Sequence, residues 1–154
     1  MKKTVKTSEV LSVYQIISSA KYGKMSNDDK IKAWKIARKL KPIATKFEDD
    51  TKDAAEKMKP YKDFDQKLEN AQEYERLIQK KEPTIDVMTK ADYDAFIKDF
   101  EAYKKTIDKA VKEFAEKAVK VEFESLSEEA FTKMIESNDW TVGQVTVLGD
   151  FICE

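Results

Sequence analysis

Three glycines and three prolines are all that interrupt 154 residues, and this shortage of chain breakers constrains the fold more than any other feature. Turns between strands need residues that accept positive φ or preset a bend, and a strand-rich domain would need more of them. Lys, Glu and Ala are good helix formers, they are abundant here, and the apolar residues recur at helical spacing. The expectation is a mainly α fold. With 38% charged and 41% hydrophobic residues, the chain reads as a single helical domain, residues 1–154, large enough to bury a core.

Val10, Val13, Tyr14 and Ile17 predict a first helix, capped by Thr7 or Ser8, running to about Tyr22 with Gly23 just past its end. Ser26 followed by Asn-Asp-Asp predicts a second start, with acids where the helix dipole favours them. Ile36, Leu40, Ile43, Phe47, Ala54 and Met58 carry that helix towards Lys59-Pro60. Ile31 and Trp34 extend the stripe backwards, which assigns Trp34 to the core. Pro42 removes a backbone donor and is expected to kink or split this helix. Phe64, Leu68, Ala71, Tyr74 and Ile78 predict a third helix ending before Glu82-Pro83. The surrounding stretch 59–89 is strongly polar and reads equally as a mobile connection or an inserted arm.

Thr89-Lys-Ala-Asp resembles a capping box and opens the longest apolar face, from Tyr93, Phe96 and Phe100 through Tyr103 and Ile107 to Phe114 and Ala118. A helix over Lys90–Ala118 would be about 43 Å long at a rise of 1.5 Å per residue. Neither long helix is stable alone in water, so the expected arrangement is an antiparallel hairpin of the second and fourth helices. After Ala118 the period changes: Val119, Val121 and Phe123 alternate with charged residues, a strand signal over 119–124. Ser127 then caps a short helix carrying Phe131, Met134 and Ile135 to about Asn138. In the tail, Val142, Val145, Leu148 and Ile152 fit a helix capped by Thr141, preceded by a short strand at Trp140–Val142; Val145, Val147 and two glycines fit a strand instead. The C-terminal part is therefore expected to be a small α+β cap beginning at Val119.

The chemistry available is narrow. There is no histidine and one cysteine, Cys153, which reads as a passive terminal thiol without a base to activate it. Adjacent acids at Asp28-Asp29, Asp49-Asp50 and Glu128-Glu129 diverge by about 100° on a helix and do not converge on one ion. No Gly-rich phosphate loop occurs. The expectation is a non-enzyme without catalytic residues, metal or cofactor. No apolar run is long enough to span a bilayer, and no apolar segment follows Met-Lys-Lys, so neither a membrane span nor a signal peptide is expected.

Charge is unevenly placed within a net charge of −1. Met1–Lys46 holds 12 Lys/Arg against 3 Asp/Glu, a balance of +9, and the remainder holds 17 against 27, a balance of −10. Either the basic part lies beside the acidic remainder, or it offers a face to nucleic acid or an acidic partner. Lys32, Lys35 and Lys39 share a helix face and are the candidate contact residues. The acidic remainder opposes close approach of phosphate, which favours the first reading.

Three stretches together carry a family resemblance. Ala33-Trp-Lys-Ile-Ala-Arg-Lys-Leu-Lys-Pro-Ile follows an amphipathic helix, a charged hairpin leads to Lys117-Ala-Val-Lys-Val-Glu-Phe, and the chain closes with Leu126 through Leu148-Gly-Asp-Phe-Ile. This order resembles a family of small, functionally uncharacterised helical proteins encoded by tailed phages and prophages. The sequence departs from that pattern at Gly143, Gly149 and the Tyr61–Thr89 insert. The resemblance implies a phage-derived protein, located in the host cytoplasm or the virion, with no catalytic residues to carry over. It further implies a minor structural or assembly role through a helical surface, with phage structural or host proteins as partners. Inhibition of a host defence protein is the competing role, and a nucleic-acid-binding accessory role through the basic N-terminal third is another. Self-association into a homo-oligomer is compatible with each.

Overall fold

The computed structural model describes all 154 residues as six helices and one two-stranded sheet: β1 (Lys2–Lys6), α1 (Thr7–Ser18), α2 (Asn27–Lys57), α3 (Phe64–Gln79), α4 (Lys90–Glu116), β2 (Ala118–Glu122), α5 (Glu128–Glu136) and α6 (Val142–Ile152). The fold is mainly α. It divides into two compact units, one made of Met1–Asp50 with Glu113–Glu154, the other of Thr51–Lys112.

The first unit is organised by a strand that the sequence did not reveal. β1 pairs antiparallel with β2, setting Val5 opposite Val119 and Lys3 opposite Val121. Lysine occupies three of the five β1 positions and hides the alternation. Lys3 nevertheless behaves as an inward residue: its ammonium lies 5.2 Å from the Phe151 ring centroid and donates to the Asp150 and Phe151 carbonyls at 2.7 and 2.8 Å. Pairing continues at both ends. The Met1 ammonium donates to the Phe123 carbonyl at 2.6 Å, and Thr7 donates from N–H and hydroxyl to the Lys117 carbonyl at 2.9 and 2.8 Å.

β1 runs directly into α1, whose first turn is closed by Glu9 accepting from the Lys6 N–H at 3.0 Å. Val10, Val13 and Ile17 of α1 pack with Ala33, Ile36 and Leu40 of α2, Leu126, Met134 of α5, and Leu148 and Ile152 of α6 in one core. The C-terminal elements thus share their core with the N-terminal helices. α1 stops at Ser18 rather than near Tyr22, and the Tyr22 hydroxyl folds back to donate to the Ile17 carbonyl at 2.7 Å. Asn138, just past α5, fastens the α1–α2 connection by accepting from the Lys21 N–H and donating to the Lys21 carbonyl, both at 2.8 Å.

α2 begins where its cap predicts, with Ser26 Oγ accepting from the Asp29 N–H at 3.1 Å. It then runs unbroken through Pro42, so the expected split does not occur. Pro42 is exposed, and the carbonyl of Arg38 that loses its donor lies one turn back on the same solvent side, where water can satisfy it. The tail is helical, and Thr141 and Gln144 form a full capping box. No strand precedes it at Trp140–Val142, because those residues pair with no other strand. Gly149 lets α6 approach α5: a Cβ there would lie 3.0 Å from the Phe131 ring.

The second unit centres on aromatic rings. Phe64, 2% exposed at the start of α3, meets Phe96, Phe100 and Tyr103 of α4 and Tyr61, with centroids 4.8–6.2 Å apart. Such pairs contribute about 0.5–1.5 kcal/mol each beyond their buried area. In this unit the apolar face of α4 is covered by α3, and the Tyr103 hydroxyl ties α4 to α2 by donating to the Ala55 carbonyl at 2.6 Å. Tyr74 stacks on Tyr93, whose hydroxyl donates to Glu75; that carboxylate holds the Tyr93 proton and pushes its pKa up to about 12. The stretch 59–89 contains α3 and contributes Phe64, Leu68 and Ala71 to this cluster. Ile78, expected on the buried face, is 54% exposed, and Leu77 is buried in its place. The buried positions step by three from Ala71 through Tyr74 to Leu77, so the contact face drifts round the helix and leaves Ile78 outside it.

α3 ends in a left-handed turn: Lys81 has φ 57°, while Glu82 N–H donates to the Leu77 carbonyl at 2.9 Å. Only glycine adopts that conformation without steric cost, so Lys81→Gly is expected to stabilise the fold by about 1 kcal/mol in urea denaturation. Two further substitutions test the C-terminal packing. Gly143 has no neighbour closer than 3.9 Å to a new Cβ, so Gly143→Ala should gain about 0.5 kcal/mol of helix propensity. Gly149→Ala must displace Phe131 and should be the less stable of the two variants by the same measurement.

Candidate binding surface

Much of the N-terminal positive charge meets acids of the C-terminal segment inside the first unit. Lys2 pairs with Glu122 at 3.3 Å, Lys6 with Glu116 at 2.9 Å, Lys24 with Glu136 at 3.6 Å and Lys32 with Glu124 at 2.9 Å. All four pairs are solvent-exposed, so water and salt screen them and they add little to stability. Their effect on the charge map is larger than their effect on stability. Lys35, Arg38 and Lys39, on the outer side of α2, enter no ion pair.

These three cations share a recess with an exposed indole. Trp34 is 54% exposed, and the Arg38 guanidinium sits 5.2 Å from its ring centroid, one helical turn away. The assignment of Trp34 to the core is therefore corrected, and so is that of Ile31, which is 50% exposed. Ala33, Ile36 and Leu40 face the core with no exposure, and Trp34 follows Ala33 by about 100° of helix rotation. The small Ala33 occupies the close approach that the large Trp34 seemed to claim.

The structure brings Lys32, Lys35 and Lys39 together, as their shared helix face predicts. They line a recess of about 470 Å³ with Trp34 and Arg38, and Phe123 and Glu124 close it from beyond β2. Glu124 lies within it as an internal carboxylate. The hydrogen bond from Lys32 and then its charge, with a smaller effect of Lys35, hold the Glu124 carboxyl below the usual range. The same bond and charge raise the Lys32 pKa. Phe123 and Glu124 were absent from the predicted site, because only the β1–β2 pairing positions them beside α2.

The other residues singled out lie elsewhere. Asp28 and Asp29 occupy the first turn of α2, and Glu128 and Glu129 that of α5. Asp50 pairs with Lys46 at 2.6 Å. No three His, Cys, Asp or Glu side chains gather around a common point. Cys153 bridges Leu126 through its backbone, and burial, reinforced by the charge of Glu128, pushes its thiol up to about 11. No helix is long and apolar enough to cross a membrane. No family model matches the chain, and no curated protein or solved structure is significantly similar to it.

The rotation of α2 that exposes Trp34 has a direct energetic signature. Trp34→Ala should change stability by no more than about 0.5 kcal/mol, as surface substitutions do. Ile36→Ala, two residues away, should cost about 2–5 kcal/mol in the same denaturation experiment.

Proposed function

We propose that this chain is a phage-derived, non-enzymatic contact protein, a minor virion or assembly component that engages another protein through the outer face of α2. One observation carries the reading: the Trp34–Arg38 pair stands exposed at a recess whose Lys35 and Lys39 form no ion pair. Trp and Arg are among the residues most enriched at the energetic centres of protein interfaces, where each offers a large planar group. The phage assignment rests on the order of sequence motifs around Ala33, Lys117 and Leu126.

Mass spectrometry of purified virions from the encoding phage or induced prophage tests the role. The chain is expected in intact particles, with cross-links from Lys35 or Lys39 to another virion protein. Its absence from particles, with cross-links to a host protein instead, would replace this reading with that of an intracellular inhibitor. Salt-dependent retention of the purified chain on DNA or RNA, without protein cross-links, would replace it with the nucleic-acid accessory role.

A further inference from the structure

The α2 recess already holds one carboxylate, and this shows what chemistry it takes. Glu124 enters beside Phe123 and accepts a hydrogen bond from Lys32, with Lys35 adding its charge. One further turn of α2 carries Arg38 and Lys39, both exposed and both without a carboxylate. Trp34, with its open indole, and Phe123 line the same recess beside these cations. A ligand matched to this surface places carboxylates on Lys35 and Lys39 and an apolar side chain against the neighbouring Trp34 indole.

We infer that the recess lined by Lys35, Arg38, Lys39 and Trp34 docks an acidic segment of a partner protein, in which carboxylates neighbour an apolar residue. The inference rests on the reading of the α2 face as a contact surface and adds the chemistry of what it contacts. Charge complementarity selects a short acidic peptide over a nucleic acid. The whole chain carries a net charge of −1 and has a pI near 5.8, so it has no long-range attraction for a polyanion. Residues 113–154, which include the recess wall at Glu124, hold 3 Lys/Arg against 10 Asp/Glu. A phosphodiester chain extending beyond the recess meets that acidic segment. A peptide with a few carboxylates needs the local cations alone, within a Debye length of about 8 Å. Glu124 then acts as an internal competitor that occupies Lys32 and repels an arriving carboxylate.

The full-length chain is titrated, at physiological salt, against a fluorescein-labelled peptide of repeating Glu-Leu-Asp-Glu, and binding is read as fluorescence anisotropy. The same peptide with Gln and Asn in place of its acids, and labelled oligothymidylate, are run alongside. The acidic peptide is expected to bind about tenfold or more tightly than the neutral one. The Lys35→Glu, Lys39→Glu double variant should weaken it about tenfold, whereas Lys35→Arg with Lys39→Arg should preserve it. Glu124→Gln should tighten it by about threefold, because a like charge leaves the site. Circular dichroism of each variant verifies that the helices persist. Equal binding of the neutral peptide, preference for oligothymidylate, no binding by the folded chain, or weaker binding by Glu124→Gln overturns the inference. A chain found in virions that ignores the acidic peptide would lose this inference and keep the contact role.

Discussion

The pairing of the first strand with residues 118–122 is the interaction on which the first unit depends. It joins residues about 110 positions apart, as the bond between Thr7 and Lys117 records. Closing a loop of that length has an entropic cost, although the cost grows only logarithmically with length. The return comes from what the closure positions. β1 leads directly into α1, β2 leads through Phe123 and Leu126 into α5 and α6, and all of them bury side chains against the first half of α2. The four exposed ion pairs between the two ends of the chain follow the same closure and contribute little to it energetically. The backbone ladder and the apolar core hold the unit together, and the ion pairs decide which cations remain available on its surface.

Apart from α1, which follows Lys6 and not a cap at Thr7 or Ser8, helix starts were legible because a cap is a local event. Ser26, Ser127 and Thr141 each bond to a backbone N–H three residues on, and the sequence within one turn contains everything needed to see it. Long apolar stripes were legible for the same reason, which is why α4 lies within two residues of its predicted range. β1 was not legible, since its strand character comes from a distant partner and its inward Lys3 reads as a surface residue. The tail was ambiguous because glycine weakens helix propensity; Gly149 is there for the closeness of Phe131, a tertiary fact.

The binding surface shows a similar division. That Lys32, Lys35 and Lys39 lie on one face follows from spacing, and the structure places all three at one recess. The position of Trp34 did not follow from spacing, because two overlapping stripes run along α2. Ile36 and Leu40 were rightly read as core, but the stripe continues backwards through Ala33, and side-chain size alone favours Ile31 and Trp34 instead. Alanine is the informative residue here: helices that pack closely bury small residues at the point of contact. Phe123 and Glu124 carried no local signal that would have joined them to α2.

The separation in sequence between the two halves of the first unit also sets a timetable for synthesis. On the ribosome, β1 is made first, and its partner strand emerges more than a hundred residues later. At about 5–20 residues per second, β1 waits roughly 6–24 s with an unpaired edge. An apolar strand left open for that time would be prone to pair with other chains. Three lysines in five residues make this strand soluble while it waits, and Val5 alone supplies an apolar side chain. The charge that concealed β1 in the sequence thus protects it as a nascent segment, until Ala118–Glu122 arrives to receive it.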